Sequence, residues 1–278
     1  IALNELGLRF INSLKNDFDF CDEVEYKKDR IIGKLKPKRN FVNEDERLKL
    51  TNHMDIIRTV AFKFKPTLKA FVPYAGLFGC ISYDFIDQFE DLPKNKEDIT
   101  KDPDYVLYYL DNLFLIDHKE NKTFFVANAL ITDDSNKIYD ECISKIQNYK
   151  NAANKSVNKP RNHKNNQKSV LKTESDISAV EFKELVKKIK DHIVAGDVYQ
   201  AVLSRTISLD FNKEPFDVYK RLRKLNPSPY MFYISNDEGV LLGASPEMSL
   251  RVEGNEKKIA EIRPIAGTKP RGIIGNKV

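Results

Sequence analysis

The feature that most constrains the fold is a succession of four short apolar runs near the C-terminus, separated by tight-turn signals. Turn-forming residues occupy positions 236–239 and 254–255. Consecutive strands joined by tight turns form an antiparallel meander. The chain shows no alternation of strands with crossover helices and no G-x-G-x-x-G, which excludes a Rossmann fold. The four runs are Tyr230–Ser235, Val240–Ala244, Met248–Val252 and Lys258–Ile265.

Two helices and one further strand are predicted ahead of this meander. Ser178 and Glu181 have the spacing of a capping box, and Gly196 is a favourable helix end, so the apolar face between them indicates a helix. The run Val198–Leu209 then predicts a strand. Pro215 can occupy the first turn of a second helix.

The N-terminal part alternates helical and strand patterns. Asn43 with Glu46 predicts the start of a helix that covers residues 50–61 and ends before Pro66. The runs Tyr105–Asp117 and Lys122–Leu130 predict an antiparallel hairpin. Isoleucines at 138, 143 and 146 indicate a helix that closes this part. We therefore expect an α+β fold with large antiparallel sheets and flanking helices.

One segment differs from the rest in composition. Asn151–Lys168 contains five basic residues, no acidic residue and almost no large apolar group. Such a segment cannot bury enough apolar surface to offset its ordering entropy, so we predict an exposed loop or linker. It gives three regions: residues 1–150, an α+β region; 151–172, the linker; and 173–278, the start of a catalytic region.

Composition excludes several classes of protein. Hydrophobic residues make up 41% of the chain, which is enough for a core, and no apolar run is long enough to cross a bilayer. The net charge of +5 is mild, and its basic residues are interleaved with acids, so we expect neither a nucleic-acid nor a membrane partner. The cysteines Cys21, Cys80 and Cys142 are far apart and odd in number, which predicts a reducing cytoplasm.

Three loops of the predicted sheet carry residues suited to chemistry. Glu247 follows a strand and can act as a proton donor, although the residues alone favour an exposed strand-end glutamate. Gly267 and Thr268 lie in a loop whose amides and hydroxyl can cradle an anion. Pro229 stiffens a segment that can present backbone groups to a small ligand, or that serves only as a rigid connection. The four histidines have no metal-ligand spacing.

These motifs resemble the anthranilate synthase component I family of chorismate-utilising enzymes. They occur in the family's order and cover most of the chain from about residue 43 onward. The matching segments are Ala75–Phe78, Ser82–Asp84, Phe89–Pro93, Val198–Arg205, Asn226–Phe232, Gly243–Glu247 and Pro264–Gly272.

Two positions separate the branches of this family. Members that add water to chorismate carry a lysine base where Gln200 stands, and members that make aminodeoxychorismate carry a lysine nucleophile where Ala266 stands. Neither Gln200 nor Ala266 provides an amine. The pair therefore resembles the anthranilate branch, in which ammonia attacks the ring directly. Aminodeoxychorismate synthase component I is the alternative enzyme, disfavoured by Ala266.

The resemblance implies a lyase of tryptophan biosynthesis with an antiparallel synthase-like fold. Chorismate would bind through Mg²⁺, ammonia would come from a glutamine amidotransferase subunit, and the products would be anthranilate and pyruvate. Glu247 matches the general acid, and Gly267 and Thr268 match the loop that contacts chorismate.

The resemblance also implies feedback control. Pro229, Tyr230 and Met231 match the family's L-tryptophan site. The family's N-terminal tryptophan signature and its later region, which supplies the magnesium ligands, are not found in this sequence. Because the chain starts with Ile1 and ends in a loop-like stretch, we expect an excerpt of a longer protein that is inactive alone and holds no metal ligands. A non-catalytic fragment that binds tryptophan or the partner subunit is a further alternative.

Overall fold

The structure is a computed structural model that describes most of the chain in two separate units. The units are Ile1–Asn162 and His163–Val278. The described residues are 1–36, 43–47, 49–67, 74–90, 92–93, 101–131, 134–156, 172–211, 213–237, 239–254 and 256–265. No helix among these residues is both long and apolar enough to cross a membrane.

Among its described residues, unit 1 combines four helices, a 3-10 helix and three strand pairs. Its helices are α1 (Glu5–Ser13), α2 (Glu44–Arg47), α3 (His53–Lys63) and α4 (Ser135–Ser156), with the 3-10 helix at Tyr83–Gln88. Its strands are β1 (Glu23–Tyr26), β2 (Ile31–Lys34), β3 (Leu77–Ile81), β4 (Tyr105–Tyr109), β5 (Asn112–Asp117) and β6 (Lys122–Ala127). Within the described part, β1 pairs with β2, β3 with β4, and β5 with β6, all antiparallel.

The buried side chains of unit 1 belong to α1 and the turn after it, to the 3-10 helix and to α4. Phe10 of α1 packs against Phe64 and Tyr109, with ring centres 4.4 Å away in each case. Burial raises the pKa of Tyr105 and Tyr109, because ionised phenolate is disfavoured away from water. The side chains that are less than 9% exposed are Leu6, Ile11, Leu14, Phe18, Phe85 and Ile138.

The described part of unit 2 contains two helices and six strands. The helices are α5 (Ala179–Ala195) and α6 (Pro215–Leu225). The strands are β7 (Thr173–Ser175), β8 (Ile207–Leu209), β9 (Tyr230–Ser235), β10 (Val240–Ser245), β11 (Arg251–Glu253) and β12 (Ile259–Glu261). Among the described residues the strands form three antiparallel pairs, β7 with β8, β9 with β10, and β11 with β12.

The hairpin of β9 and β10 carries α6 on one face. Phe216 and Tyr219 of α6 pack against Tyr233 of β9, with ring centres 5.3 Å and 5.7 Å away. These edge-on aromatic contacts hold the helix to the hairpin. Gly243 lies opposite Phe232, and a Cβ atom at Gly243 would run into the Phe232 ring. The glycine therefore lets that ring lie across the hairpin.

The α+β class with antiparallel strands is confirmed, as are several predicted element ends. Ser178 and Glu181 form the predicted capping box of α5, and Gly196 ends this helix at φ 86°. Pro215 begins α6. Asn121, at φ 50°, lies in the turn of the predicted hairpin. Sheet size differs from the prediction, because each described sheet has two strands.

The predicted meander and the predicted strand at 198–209 are both longer than the observed strands. The meander is divided into two hairpins, since the chain leaves β10 through Pro246, which has no N–H to donate to a ladder. Only Ile207–Leu209 of the predicted strand is paired, because β7 offers three partners.

Two predictions for unit 1 also need correction. The predicted linker begins too early, because Asn151–Ser156 belongs to α4; its remainder up to residue 171 lies outside the described residues. The helix predicted to begin near Asn43 is split. Asn43 caps only the short α2, and Asn52 forms a capping box with Asp55 that begins α3.

Candidate functional site

One end of the β9–β10 hairpin brings two predicted site segments together. Tyr230 is paired with Ser245, and Met231 with Ala244. Strand β9 therefore starts where β10 ends, so that Pro229–Met231 and Ser245–Glu247 share this end of the hairpin. Tyr230 remains 43% exposed and can contact a ligand there.

A tight turn fixes the backbone at Glu247. The Glu247 N–H donates to Oγ of Ser245 at 3.3 Å, and the Ser245 hydroxyl donates to the Glu247 carbonyl at 3.2 Å. Pro246 lies between them and restricts φ. The serine hydroxyl thus closes a local turn that orients the glutamate at the strand end.

The Glu247 carboxylate is held by the backbone of a segment 18 residues away. Its Oε1 accepts a hydrogen bond from the Ile265 N–H at 3.0 Å. This bond closes the base of the β11–β12 hairpin, which lies between the two residues in sequence. It leaves Oε2 free of this contact, so that a proton carried on Oε2 would be accessible in this exposed side chain.

Gln200 lies in a different setting, just beyond the end of α5. Residues 198–205 have neither helical nor strand hydrogen bonding, and Gln200 is exposed. The structure thus places Glu247 and the Pro229–Met231 segment at one hairpin end and Gln200 on an irregular segment. Ala266, Gly267 and Thr268 lie outside the described residues, directly after Ile265.

The described residues do not fit a metal ion. Nowhere in the described ranges are three or more histidine, cysteine, aspartate or glutamate side chains arranged as ligands. A magnesium ion needs oxygen ligands in near-octahedral geometry.

A cleft of about 900 Å³ lies in unit 1, between α1, α4 and the end of β6. Four of its charged side chains are paired with one another: Arg9 donates to Glu141 at 3.2 Å, and Lys145 to Asp111 at 3.0 Å. Burial raises the pKa of the Cys142 thiol, which disfavours a reactive thiolate. None of the predicted site residues lines this cleft. We therefore place the candidate site in unit 2, despite the size of the cleft.

Sequence reasoning missed two interactions around the site. It did not predict the bond from Ile265 to Glu247 or the pairing of His192 with Asp197 at the end of α5. The first depends on how the β11–β12 hairpin returns the chain. The second had a local signal. A histidine in the last helical turn lies close enough to an aspartate just after the C-terminal glycine to pair with it.

Comparison with known proteins identifies the family. Residues 20–273 match the model of the chorismate binding enzymes. The chain is 33% identical over 284 residues to "Anthranilate synthase component 1" of Buchnera aphidicola subsp. Tetraneura caerulescens, covering 98% of this chain and 52% of that protein. The protein of the same name from Acetivibrio thermocellus is 33% identical, with 80% and 45% covered. For Vibrio cholerae serotype O1 the identity is 30%, with 98% and 50% covered.

A solved structure shows the same fold. The crystal structure of anthranilate synthase component I from Streptococcus pneumoniae TIGR4 matches with a TM-score of 0.60 and 24% identity, covering 84% of this chain and 48% of that one. This chain spans about half the length of the relatives it matches. The family match extends over nearly the whole sequence and includes the segments that hold Gln200, Glu247 and Thr268. The chain belongs to the family of chorismate binding enzymes.

Proposed function

We propose that this chain is part of the large subunit of an anthranilate synthase, which converts chorismate and ammonia to anthranilate, pyruvate and water. The observation that carries the proposal is the residue pair at positions 200 and 266 in a chain of this family. Gln200 cannot activate water as a base, and Ala266 cannot attack the ring. Ammonia needs neither, because it is already a nucleophile.

The proposed reaction has two steps, addition of ammonia with loss of water and then elimination of pyruvate. The ammonia lone pair forms a bond to ring carbon 2, the ring double bonds shift, and the hydroxyl at carbon 4 leaves as water with a proton from Glu247. The added nitrogen loses a proton to Glu247, which restores the acid. The bond from the ring to the enolpyruvyl oxygen then breaks as a proton leaves ring carbon 2 and the ring becomes aromatic, and the released enolpyruvate takes up a proton to give pyruvate.

The geometry of Glu247 supports the role of general acid. Because the Ile265 N–H holds Oε1, the transferred proton is assigned to Oε2. The same bond brings Ile265 to the glutamate, and Ala266, Gly267 and Thr268 follow directly in the sequence. We assign Gly267 and Thr268 to binding of chorismate, whose carboxylates suit backbone amides and a hydroxyl.

The proposal extends to partners and control. A glutamine amidotransferase subunit would supply ammonia, Mg²⁺ would be bound by residues other than those described, and the reaction would take place in the cytoplasm. Pro229, Tyr230 and Met231 are assigned to feedback binding of L-tryptophan. Their position at the same hairpin end as Glu247 offers a short route by which tryptophan could affect the acid.

The test is an assay of the natural full-length protein with chorismate, ammonia and Mg²⁺. We expect fluorescent anthranilate, and a lower rate when L-tryptophan is added. Glu247→Gln should lower kcat by about 10²- to 10⁴-fold, since the amide cannot donate an acid proton.

The matched control is Glu253→Gln, which alters an exposed glutamate of the same unit whose partner is Arg251. It should retain the wild-type rate. Aminodeoxychorismate as the final product would favour the sister enzyme, and no turnover would favour a binding fragment. A near-normal rate for Glu247→Gln would remove this residue from the acid role.

A further inference from the structure

The segment that carries Gln200 has no sheet to hold it. In the part of unit 2 that the structure describes, residues 198–205 pair with no strand. The side chains of Tyr199 and Val202 are 104% and 86% exposed. A residue whose identity separates two reactions nevertheless needs a defined position, since displacement of about 1 Å can cost 10²-fold in rate. The contacts at the two ends of the segment are therefore decisive.

The first end is fastened to the C-terminus of α5 by two bonds between the same residues. The Asp197 N–H donates to the His192 carbonyl at 3.0 Å, beyond the left-handed Gly196. The Asp197 Oδ2 lies 2.7 Å from Nδ1 of His192. Because a carboxylate only accepts, Nδ1 carries the proton. We call His192 and Asp197 the α5 clasp, and Gln200 follows it by three residues.

The second end returns to the first turns of the same helix. The Arg205 guanidinium carbon lies 5.9 Å from the centre of the Phe182 ring. The next residue, Thr206, donates its N–H to Asp176 Oδ1 at 2.9 Å, just before α5. The face of an aromatic ring attracts a cation that lies over it, so Phe182 holds the Arg205 side chain. The backbone hydrogen bond of Thr206 fixes the direction of the chain.

The two ends define the path of the segment. His192 and Phe182 are ten residues apart on α5, or roughly 15 Å at 1.5 Å per residue. The segment from Asp197 to Arg205 covers the same span in eight residue steps, which could reach roughly 27 Å if fully extended. The segment therefore runs back along α5 without being fully extended, and Gln200 lies near the end that the clasp fastens.

We propose that the α5 clasp is a positioning device for Gln200, with the Arg205–Phe182 contact as its second support. This inference rests on the proposed function, because position 200 is where water-adding relatives carry the base and would therefore lie beside the entering nucleophile, here ammonia. Asp197 and His192 are positioning residues and do not touch the reacting atoms. Because the segment is longer than the span it covers, loss of the clasp allows its backbone to shift, and Gln200 is displaced.

The test compares alanine with asparagine at both positions in the natural full-length protein. Asp197→Ala and His192→Ala should lower kcat/KM for ammonia by about ten-fold, with the change mainly in KM for ammonia rather than for chorismate. Asp197→Asn keeps an acceptor for Nδ1–H, and His192→Asn keeps a donor in nearly the same place. Both asparagine variants should therefore stay within about three-fold of wild type. The melting temperature should change by no more than about 3 °C, because an exposed pair contributes little stability.

The control is Glu184→Ala, which removes an exposed ion pair with Lys187 on the same helix without touching the segment. It should leave KM for ammonia unchanged. Alanine variants that match wild type, or asparagine variants as impaired as the alanine ones, would overturn the proposal.

Amide hydrogen exchange separates this proposal from the proposed function. The amides of residues 197 and 206, which are hydrogen-bonded at the two ends of the segment, should exchange faster in Asp197→Ala than in wild type and Glu184→Ala. Unchanged exchange overturns the clasp even in an active synthase. Faster exchange in Asp197→Ala, together with a wild-type protein that makes no anthranilate, would support the clasp and reject the proposed function.

Discussion

At the scale of single residues, Gly79 shows why one position in a strand can exclude every side chain. It lies in β3 opposite Leu107 of β4, and a Cβ atom there would overlap the carbonyl oxygen of Val106. The obstacle is backbone, which cannot rotate away as a side chain can. The strand pair is therefore compatible with glycine alone at this position.

We predict that Gly79→Ala destabilises unit 1 by about 1–3 kcal/mol, because the strands must separate to admit the methyl group. The matched control is Gly76→Ala, three residues earlier, where an added Cβ meets nothing within 4 Å. The control should change stability by less than about 0.5 kcal/mol. Urea unfolding measures both, and equal midpoints for the two variants would contradict the close approach of β3 and β4.

At the scale of elements, the sequence predicts helix ends correctly where the signal is a hydrogen bond or a backbone conformation set by residues close together in the chain. The capping box of α5 and the glycine at its end are of this kind. Strand predictions are less accurate, because a strand also needs a neighbouring strand to pair with. The run at 198–209 has the composition of a strand, yet only three residues of β7 are available to pair with it. Averaged composition also failed at 151–156, where two alanines favour continuation of α4.

The α5 capping box gives a prediction at this scale. The Ser178 hydroxyl accepts the Glu181 N–H at 3.2 Å, and the Glu181 carboxylate accepts the Ser178 N–H at 3.0 Å. Ser178→Ala leaves an amide of the first turn without its acceptor, at a cost of about 1 kcal/mol. Hydrogen exchange of the first-turn amides should quicken about five-fold. Ser249→Ala, at an exposed position outside any helix, is the control, and the same acceleration there would show a general effect of serine loss.

At the scale of the whole molecule, the sequence predicts which segments belong to the candidate site but not how they meet. Proline, small residues and a glutamate after a strand identified the two segments at the hairpin end. The register that pairs Tyr230 with Ser245, and the bond from Ile265 to Glu247, are consequences of chain paths spanning many residues. A single sequence contains no local signal for such closures, since the intervening hairpin could return the chain in more than one register.

The two units differ sharply in how much apolar surface they bury. This difference predicts that their strands have different stabilities. Every described side chain that is less than 9% exposed belongs to unit 1, whereas large apolar groups of unit 2 such as Val194 and Leu225 are 88% and 71% exposed. Two-stranded hairpins without a covered face are marginally stable in water. In the 278-residue chain, amides of β5 and β6 should therefore exchange at least about ten-fold more slowly than those of β11 and β12, whose residues are almost all exposed, after correction for intrinsic rates. Both sets come from one sample, so each serves as control for the other. Equal protection would mean that unit 2 buries its apolar side chains by some contact beyond those described, and repeating the measurement at several protein concentrations would show whether that contact is with a second copy.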